Sequence, residues 1–259
     1  MGHTSRRLDS RQYGLFASDR TRSHEQGQTI LGGRHVRLDE ETYDQPGDTT
    51  RHTQRSVFLP QVALIYKPRP DTTLYASYSK GLSLGGTAAW FSSNADEVLP
   101  PTTSRQLEVG IKHDLQRLTL TAALFQITQD LQYNRPNDDG STTFVQQGKQ
   151  KNGGLELSAD GRVTDNLQVS ASVAEMRARG SGSGTDDYDG DQAINVPKLR
   201  ASLHGDYSIP GFKGLALLGG VQDSGSKYAN REASVKVDDY AVFDVGGRYS
   251  TKVGDYDTV

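Results

Sequence analysis

The sequence predicts an all-β protein, an antiparallel transmembrane β-barrel, from two observations. The first is a strict alternation of apolar and polar residues, as where Leu107, Val109 and Ile111 are separated by Glu108 and Gly110. Successive side chains of a strand point to opposite faces, so each such stretch has one apolar and one polar face. The second is that the connections between stretches are in turn very short and very long. Tight turns at one rim and long loops at the other are typical of barrels that span a membrane.

The alternation predicts about eleven strands. Ten are expected near residues 12–18, 29–38, 57–67, 73–80, 106–112, 117–124, 167–173, 199–207, 214–222 and 241–250, and one more, the seventh, runs to residue 162. Tight turns are predicted at 68–71, 114–116, 164–166 and 209–213, and long polar loops at 39–55, 81–101, 131–142, 180–195 and 223–238. A β-sandwich also alternates apolar and polar residues but has no reason to keep its long loops at one end. The loop asymmetry therefore favours the barrel.

The composition excludes several classes of protein. Only 34% of the residues are hydrophobic, and no run approaches the roughly 20 apolar residues of a transmembrane helix. A barrel strand needs apolar residues at alternate positions only, so this composition still permits a barrel. The net charge of -3 predicts no nucleic-acid partner, which would require a basic surface. The chain has no cysteine, which excludes disulfides and thiolate metal sites.

The two ends of the sequence predict a fragment. Residues 1–20 contain arginines and aspartates and no apolar segment of the kind that an export signal needs. Residues 250–259 are too few for another spanning strand and its turn. An open sheet would leave unpaired backbone edges in lipid, which is not viable. We therefore expect residues 1–259 to be one partial barrel domain.

Six segments in order resemble the barrel of TonB-dependent siderophore receptors. The most specific is LPPTTSRQLEVGIK at residues 99–112, where a proline-led segment enters a strand that ends in Glu-x-Gly-x-Lys. The others are LYASYSKG at 74–81, ALFQIT at 123–128, GKQKNGGLELSADG at 148–161, VPK at 196–198, and the strand at 240–249. Together they cover nearly the whole chain.

This resemblance implies about half of a 22-stranded barrel, without the plug domain and the closing strands. It implies that the parent protein lies in the bacterial outer membrane, in contact with its lipid. The parent would bind a ferric siderophore and pass it inward, driven by the TonB complex through the missing plug. No enzyme activity and no cofactor are implied, and iron would enter only as part of the bound siderophore.

Aromatic and basic residues of the long loops are the predicted ligand contacts. Aromatic faces and arginine guanidinium groups suit a bulky, often anionic iron–siderophore complex. The same aromatic residues, placed near strand ends, would also suit a membrane-interface girdle. The candidates are Tyr43, Trp90, Phe91, Tyr133, Arg135, Tyr188, Tyr228 and Arg231.

Other motifs predict no site. The acidic run at 186–191 does not fit the EF-hand template, because glycine and glutamate are missing from the required positions. The six histidines show no metal-ligand spacing, and no nucleophile elbow is present. We therefore predict no catalytic residues and no metal site. Two other functions stay open, a passive porin-like barrel and a soluble all-β binding domain.

Overall fold

The computed structural model describes residues 6, 8–43, 47–185, 189–190, 192–230, 233–253 and 256–258. Eleven strands form one antiparallel sheet in which every strand pairs with its neighbours in sequence. Their bounds are β1 Leu8–Arg22, β2 Gly27–Tyr43, β3 Thr49–Arg69, β4 Thr72–Ser83, β5 Thr102–Leu115, β6 Leu118–Pro136, β7 Thr142–Arg162, β8 Leu167–Ser181, β9 Leu199–Ser208, β10 Leu215–Ser224 and β13 Tyr240–Tyr249.

Two small hairpins complete the fold. One consists of β11 (Lys227–Tyr228) and β12 (Lys236–Val237), within the connection between β10 and β13. The other consists of β14 (Thr251–Val253) and β15 (Tyr256–Thr258). Within the described residues the large sheet does not close on itself, since β1 and β13 each have a single neighbour. No described helix is long and apolar enough to cross a bilayer.

The sheet has an apolar face and a polar face. A representative row of the apolar face is Leu64, Ala76, Val109, Leu124 and Leu155, which lie directly opposite one another on β3 to β7. The leucines and the valine of this row are exposed, although each would be stabilised by burial. The polar face carries the matching row Thr121, Ser158, Ser172, Ser202 and Gln222 on β6 to β10.

The register explains why the alternation was readable in the sequence. Directly opposite residues of an antiparallel pair project from the same face, and a shift by one residue would turn every apolar side chain to the polar face. Eleven strands with matched alternation therefore specify a single register. The hydroxyl groups of Ser172 and Ser202, 2.8 Å apart, show this pairing on the polar face.

The two rims of the sheet differ as predicted. Residues 23–26, 70–71, 116–117, 163–166 and 209–214 make short connections at one end, which we call the turn rim. All other connections between strands of the sheet lie at the opposite end, the loop rim. The longest of these are residues 84–101, 182–198 and 225–239.

Two predicted loops are wrong in extent. Residues 39–55 and 131–142 were expected to be long polar loops, but most of them continue the strands. β2 runs to Tyr43 and β3 begins at Thr49, and β6 runs to Pro136 before β7 begins at Thr142. Polarity alone does not distinguish a polar strand from a loop, since backbone pairing satisfies the chain equally well.

Candidate functional site

The candidate site lies at the loop rim, where β6 and β7 extend beyond their neighbours. β6 pairs with β5 only as far as Thr128, and β7 pairs with β8 only from Lys149 onward. The remaining parts of the two strands, residues 132–136 and 142–146, pair with each other. We call this two-stranded projection the ribbon.

A tight turn at residues 137–141 closes the ribbon. The amide of Asn137 donates to the carbonyl of Ser141 at 2.9 Å. A carboxylate oxygen of Asp139 accepts from the Ser141 hydroxyl at 2.6 Å and from the Ser141 amide at 3.0 Å. These hydrogen bonds, the hydroxyl one first, hold the pKa of Asp139 below its ordinary value. The tip of the ribbon is therefore an ordered, negatively charged turn.

Residues 84–101, called loop A, pack on one side of the ribbon. Asn94 behaves as a backbone mimic, because its amide group donates to the Phe144 carbonyl and accepts from the Phe144 amide, both at 2.9 Å. The amide of Ser93 donates to the Thr142 carbonyl at 2.7 Å. Gln132 accepts from the amide of Gly86 at 3.0 Å. Loop A is thus tied to both strands of the ribbon.

Residues 182–198 are called loop B, and its described part packs on the opposite side of the ribbon. The hydroxyl of Tyr133 donates to the carbonyl of Ser183 at 2.6 Å, and both residues are buried. Asp189 accepts from the amides of Gly182 and Ser183 at 2.9 and 3.0 Å. These bonds, that of Ser183 first, lower the pKa of Asp189. The ribbon is therefore held between two ordered loops.

The register shows which side of the ribbon continues the polar face. The single extra residue near Gly148 lies on β7, so β6 alternates without interruption. Tyr133 and Arg135 are consequently on the side continuous with the polar face, together with loop B. Gln132 and Asn134 are on the side continuous with the apolar face, together with loop A.

The polar face below the ribbon carries charged clusters. The hydroxyl of Tyr75 donates to Glu108 at 2.7 Å, and the side-chain amide of Gln106 donates to the same carboxylate at 2.9 Å. Further along the sheet, Arg248 forms an ion pair with Asp206 at 2.7 Å. Such a surface suits water, a soluble ligand or a polar protein segment better than lipid.

The loop-rim candidates from the sequence fall into different surroundings. Trp90 and Phe91 form an edge-to-face pair with ring centres 5.7 Å apart on loop A, and they are 87% and 55% exposed. Arg135 is exposed and donates weakly to Gln147 at 3.4 Å. Tyr133 is only 4% exposed, so in this conformation its side chain supports loop B.

The remaining candidates lie apart from the ribbon. Tyr43 ends β2 on the side continuous with the apolar face, and its hydroxyl donates to Glu41. Tyr228 belongs to β11, where its carbonyl accepts from the Asn195 amide at 2.9 Å and Lys198 lies over its ring at 6.0 Å. Tyr188 and Arg231 lie outside the described residues. Among the six described candidates, the structure therefore places Tyr133 and Arg135 on one side of the ribbon but does not bring all six into one cluster.

The polar-face clusters are not among the candidates predicted from the sequence, which all lie in the long loops. Their signal was present in the alternation, because Gln106, Glu108, Asp206 and Arg248 occupy the polar positions of predicted strands. The described residues contain no group of three or more His, Cys, Asp and Glu side chains able to hold a metal ion.

Comparison with known proteins assigns this architecture to a family. The family model described as "TonB dependent receptor-like, beta-barrel" matches residues 2–258. The chain therefore belongs to the TonB-dependent receptor β-barrel family. The resemblance stated from the sequence motifs is confirmed, and so is the fold, an incomplete antiparallel barrel.

Individual relatives are ferric siderophore receptors. The chain is 29% identical to the ferrichrome receptor FcuA of Yersinia enterocolitica over 204 residues, 76% of this chain and 26% of that protein. It is 28% identical to the ferrioxamine receptor of the same organism, over 84% of this chain and 30% of that protein. The crystal structure of BauA, the ferric preacinetobactin receptor of Acinetobacter baumannii, superposes with a TM-score of 0.71 at 29% identity, covering 96% of this chain and 37% of that one. The chain thus spans roughly a quarter to a third of these two curated relatives.

Proposed function

We propose that this chain is part of the barrel wall of an outer-membrane receptor that binds and takes up a ferric siderophore. The match of the family model across residues 2–258 carries this proposal. The relatives named above are receptors for siderophores, and none is described as an enzyme. The proposal for the whole protein includes energy supply by the TonB complex, through parts that this chain does not contain.

The exposed apolar face supports placement in a membrane. Leucine, valine and phenylalanine side chains cover this face along most strands, and such an area is much larger than a soluble monomer exposes. Lipid is the simplest cover, since the strands between the edge strands β1 and β13 are paired with neighbours on both sides. The turn rim would then face the periplasm and the loop rim the cell exterior.

The side of the ribbon that continues the polar face supports ligand capture at the loop rim. Arg135 is exposed there, and within the described residues it donates one long hydrogen bond, to Gln147, so its guanidinium group can still bind an anionic ligand. Loop B and the ribbon are held together by Tyr133, which fixes the surroundings of Arg135. A rigid site loses less conformational entropy when it binds. Arg135 is therefore the candidate with the strongest structural support.

Growth on defined iron sources tests the function. The full-length polypeptide is expressed in a strain that lacks its own siderophore receptors, with iron supplied only as a ferric hydroxamate or a ferric catecholate siderophore. We expect growth on at least one of them, and loss of growth when the TonB complex is deleted. Arg135→Ala is expected to weaken binding of that siderophore about tenfold or more, because a hydrogen bond to a charged group is worth roughly 1.5–3 kcal/mol.

Arg69→Ala is the matched control, since Arg69 is an exposed arginine at the turn rim that forms an ion pair with Asp71. It should leave siderophore binding unchanged. Growth on no ferric siderophore, with the protein folded in the outer membrane, would refute the proposal. Uptake that persists without the TonB complex would favour a passive porin-like barrel, and failure to insert into membranes would favour a soluble binding domain.

A further inference from the structure

Two side chains of the polar face converge on one point above a glycine. His204 on β9 and Asp244 on β13 both lie directly opposite Gly220, one on each side of β10. The position that a Cβ atom of Gly220 would occupy is 2.4 Å from Nδ1 of His204 and 2.5 Å from Oδ2 of Asp244. Both side chains therefore lean over the glycine toward each other, and its missing side chain leaves the space that they share.

Neither of these two side chains has a hydrogen bond or an ion pair within the described residues. Arg248, which shares the polar face of β13 with Asp244, pairs with Asp206 at 2.7 Å instead. Elsewhere on the sheet, by contrast, His52 and Asp39 bond to each other directly at 2.8 Å. The pair above the glycine is therefore separated by a gap that suits a third group bound by both.

The surroundings favour a cation as this third group. The two side chains line a cavity of 380 Å³, whose polar lining residues are Gln168, Ser170, His204, Asp206, Asp244 and Arg248. Two carboxylates and one guanidinium group give the cavity a net negative charge when the imidazole is neutral. A cation is consequently attracted to it, and an anion is repelled.

We infer that His204 and Asp244 bind a divalent transition-metal ion such as Zn²⁺, which ties β13 to β9 across β10. Imidazole nitrogen and carboxylate oxygen both bind such ions, at roughly 2.0–2.2 Å. Calcium and magnesium suit the pair less well, because they prefer a shell of oxygen atoms alone. The remaining coordination positions face the cavity and are left to water or to a polar side chain that reaches this face. The inference needs the barrel fold but not the proposed ligand or its transport.

Zinc binding to the full-length polypeptide tests this inference. The protein is purified in detergent without a histidine tag, stripped of metal by a chelator, and titrated with Zn²⁺ alone by calorimetry. We expect a saturable, exchangeable site. Zinc should also raise the temperature at which the folded band disappears in heat-modifiable electrophoresis, because an ion that binds only the folded state stabilises it. Absence of saturable Zn²⁺ binding to the folded barrel would overturn the inference.

The variants His204→Gln and Asp244→Asn locate the site. Each is expected to weaken Zn²⁺ binding about a hundredfold or more, since loss of even a supporting partner of a metal ligand costs roughly 10- to 100-fold. The matched controls are His113→Gln and Asp160→Asn, which should leave Zn²⁺ binding unchanged. His113 contacts the Thr72 hydroxyl at 3.0 Å on the other side of the sheet, and Asp160 lies on the polar face two strands from β9. An equal loss of affinity in a variant and its control would also overturn the inference.

The variant Asp244→His separates loss of a ligand from damage to the sheet. It replaces the carboxylate with a second imidazole, which remains a good ligand for transition metals. We therefore expect Asp244→His to bind Ni²⁺ at least as tightly as the unmodified protein does, and at least about tenfold more tightly than Asp244→Asn does. Heat-modifiable gel mobility shows that each variant has folded. Equal Ni²⁺ affinity of folded Asp244→His and folded Asp244→Asn would overturn the inference, and it would leave the proposed siderophore receptor untouched.

Discussion

The ring of Tyr75 lies directly across Gly110 on the neighbouring strand. The two residues are opposite each other in the pairing of β4 with β5, on the polar face. A Cβ atom at position 110 would come within 2.6 Å of three atoms of the Tyr75 side chain, closer than such atoms pack. The absence of a side chain at Gly110 is therefore what allows Tyr75 to lie flat and donate its hydrogen bond to Glu108.

Gly110→Ala should displace Tyr75 and destabilise the barrel. Overpacking of this kind costs roughly 1–3 kcal/mol, and loss of the hydrogen bond to Glu108 adds to it. The measurement is the temperature at which the folded band disappears in heat-modifiable electrophoresis. Gly153→Ala is the control, since its nearest contact would be an ordinary 3.7 Å. Tyr75→Ala in the Gly110→Ala background should recover part of the loss, and absence of recovery would disprove the contact as its cause.

Gly148 should determine how loop B packs on the sheet. Its φ is +81°, and a Cβ there would lie 2.7–2.8 Å from backbone atoms of Ser181, Gly182 and Ser183. Gly140, at the tip of the ribbon, has nearly the same φ of +82°, but a Cβ there would meet nothing within 4 Å. Alanine variants at the two positions therefore share the cost of a positive φ, but only the variant at position 148 also has the cost of a steric clash.

Gly148→Ala is expected to increase amide hydrogen exchange throughout residues 182–185, with about 1–3 kcal/mol lost from both effects together. Gly140→Ala should show the backbone cost only, about 1 kcal/mol, and leave loop B protected. If loop B is equally protected in the two variants, glycine is required at position 148 for its positive φ alone and not to make room for loop B.

The sequence was sufficient for the sheet but not for the assembly at the loop rim. Alternation such as that of Leu107, Val109 and Ile111 is a local signal, because strand geometry has a period of two. It therefore predicted the strands and the apolar face. The two-stranded ribbon carries no such signal, since both of its sides are covered by polar loops or exposed.

The candidate residues show the same limit. Aromatic and basic type alone selected Tyr133 and Arg135, which lie on one side of the ribbon as neighbours on β6. Residue type alone could not show which of the two is accessible to a ligand. In the structure Tyr133 is buried against Ser183, and Arg135 is exposed. Their difference depends on the contact with loop B, 50 residues away in sequence, which no local pattern encodes.

Asn94 should hold loop A to the ribbon. Its side-chain amide makes two hydrogen bonds with the backbone of Phe144, so Asn94→Ala leaves a donor and an acceptor without their partners. We expect a loss of roughly 1–3 kcal/mol, with faster hydrogen exchange at the Phe144 amide and faster proteolysis within residues 84–101. Asn166→Ala at the turn rim should change neither. Unchanged exchange at Phe144 would contradict the role of Asn94.

Asp189 should make loop B sensitive to acid. Hydrogen bonds from Ser183 and Gly182 hold the pKa of Asp189 below its ordinary value, so the folded loop favours the carboxylate. A group whose pKa is lower in the folded state contributes stability that is fully present above its unfolded pKa and is lost as the pH falls through the folded pKa. We therefore expect loop B to be equally protected from pH 5 to pH 8 and to open progressively below about pH 4.

Limited proteolysis by pepsin between pH 2 and pH 4.5, corrected for the activity of the protease on an unfolded peptide, measures this opening. Asp189→Asn keeps one acceptor oxygen but does not titrate, so it should be cleaved more readily at the upper end of that range, with a weaker dependence on pH. The same acid dependence in Asp189→Asn as in the unmodified chain would show that another carboxylate controls the loop.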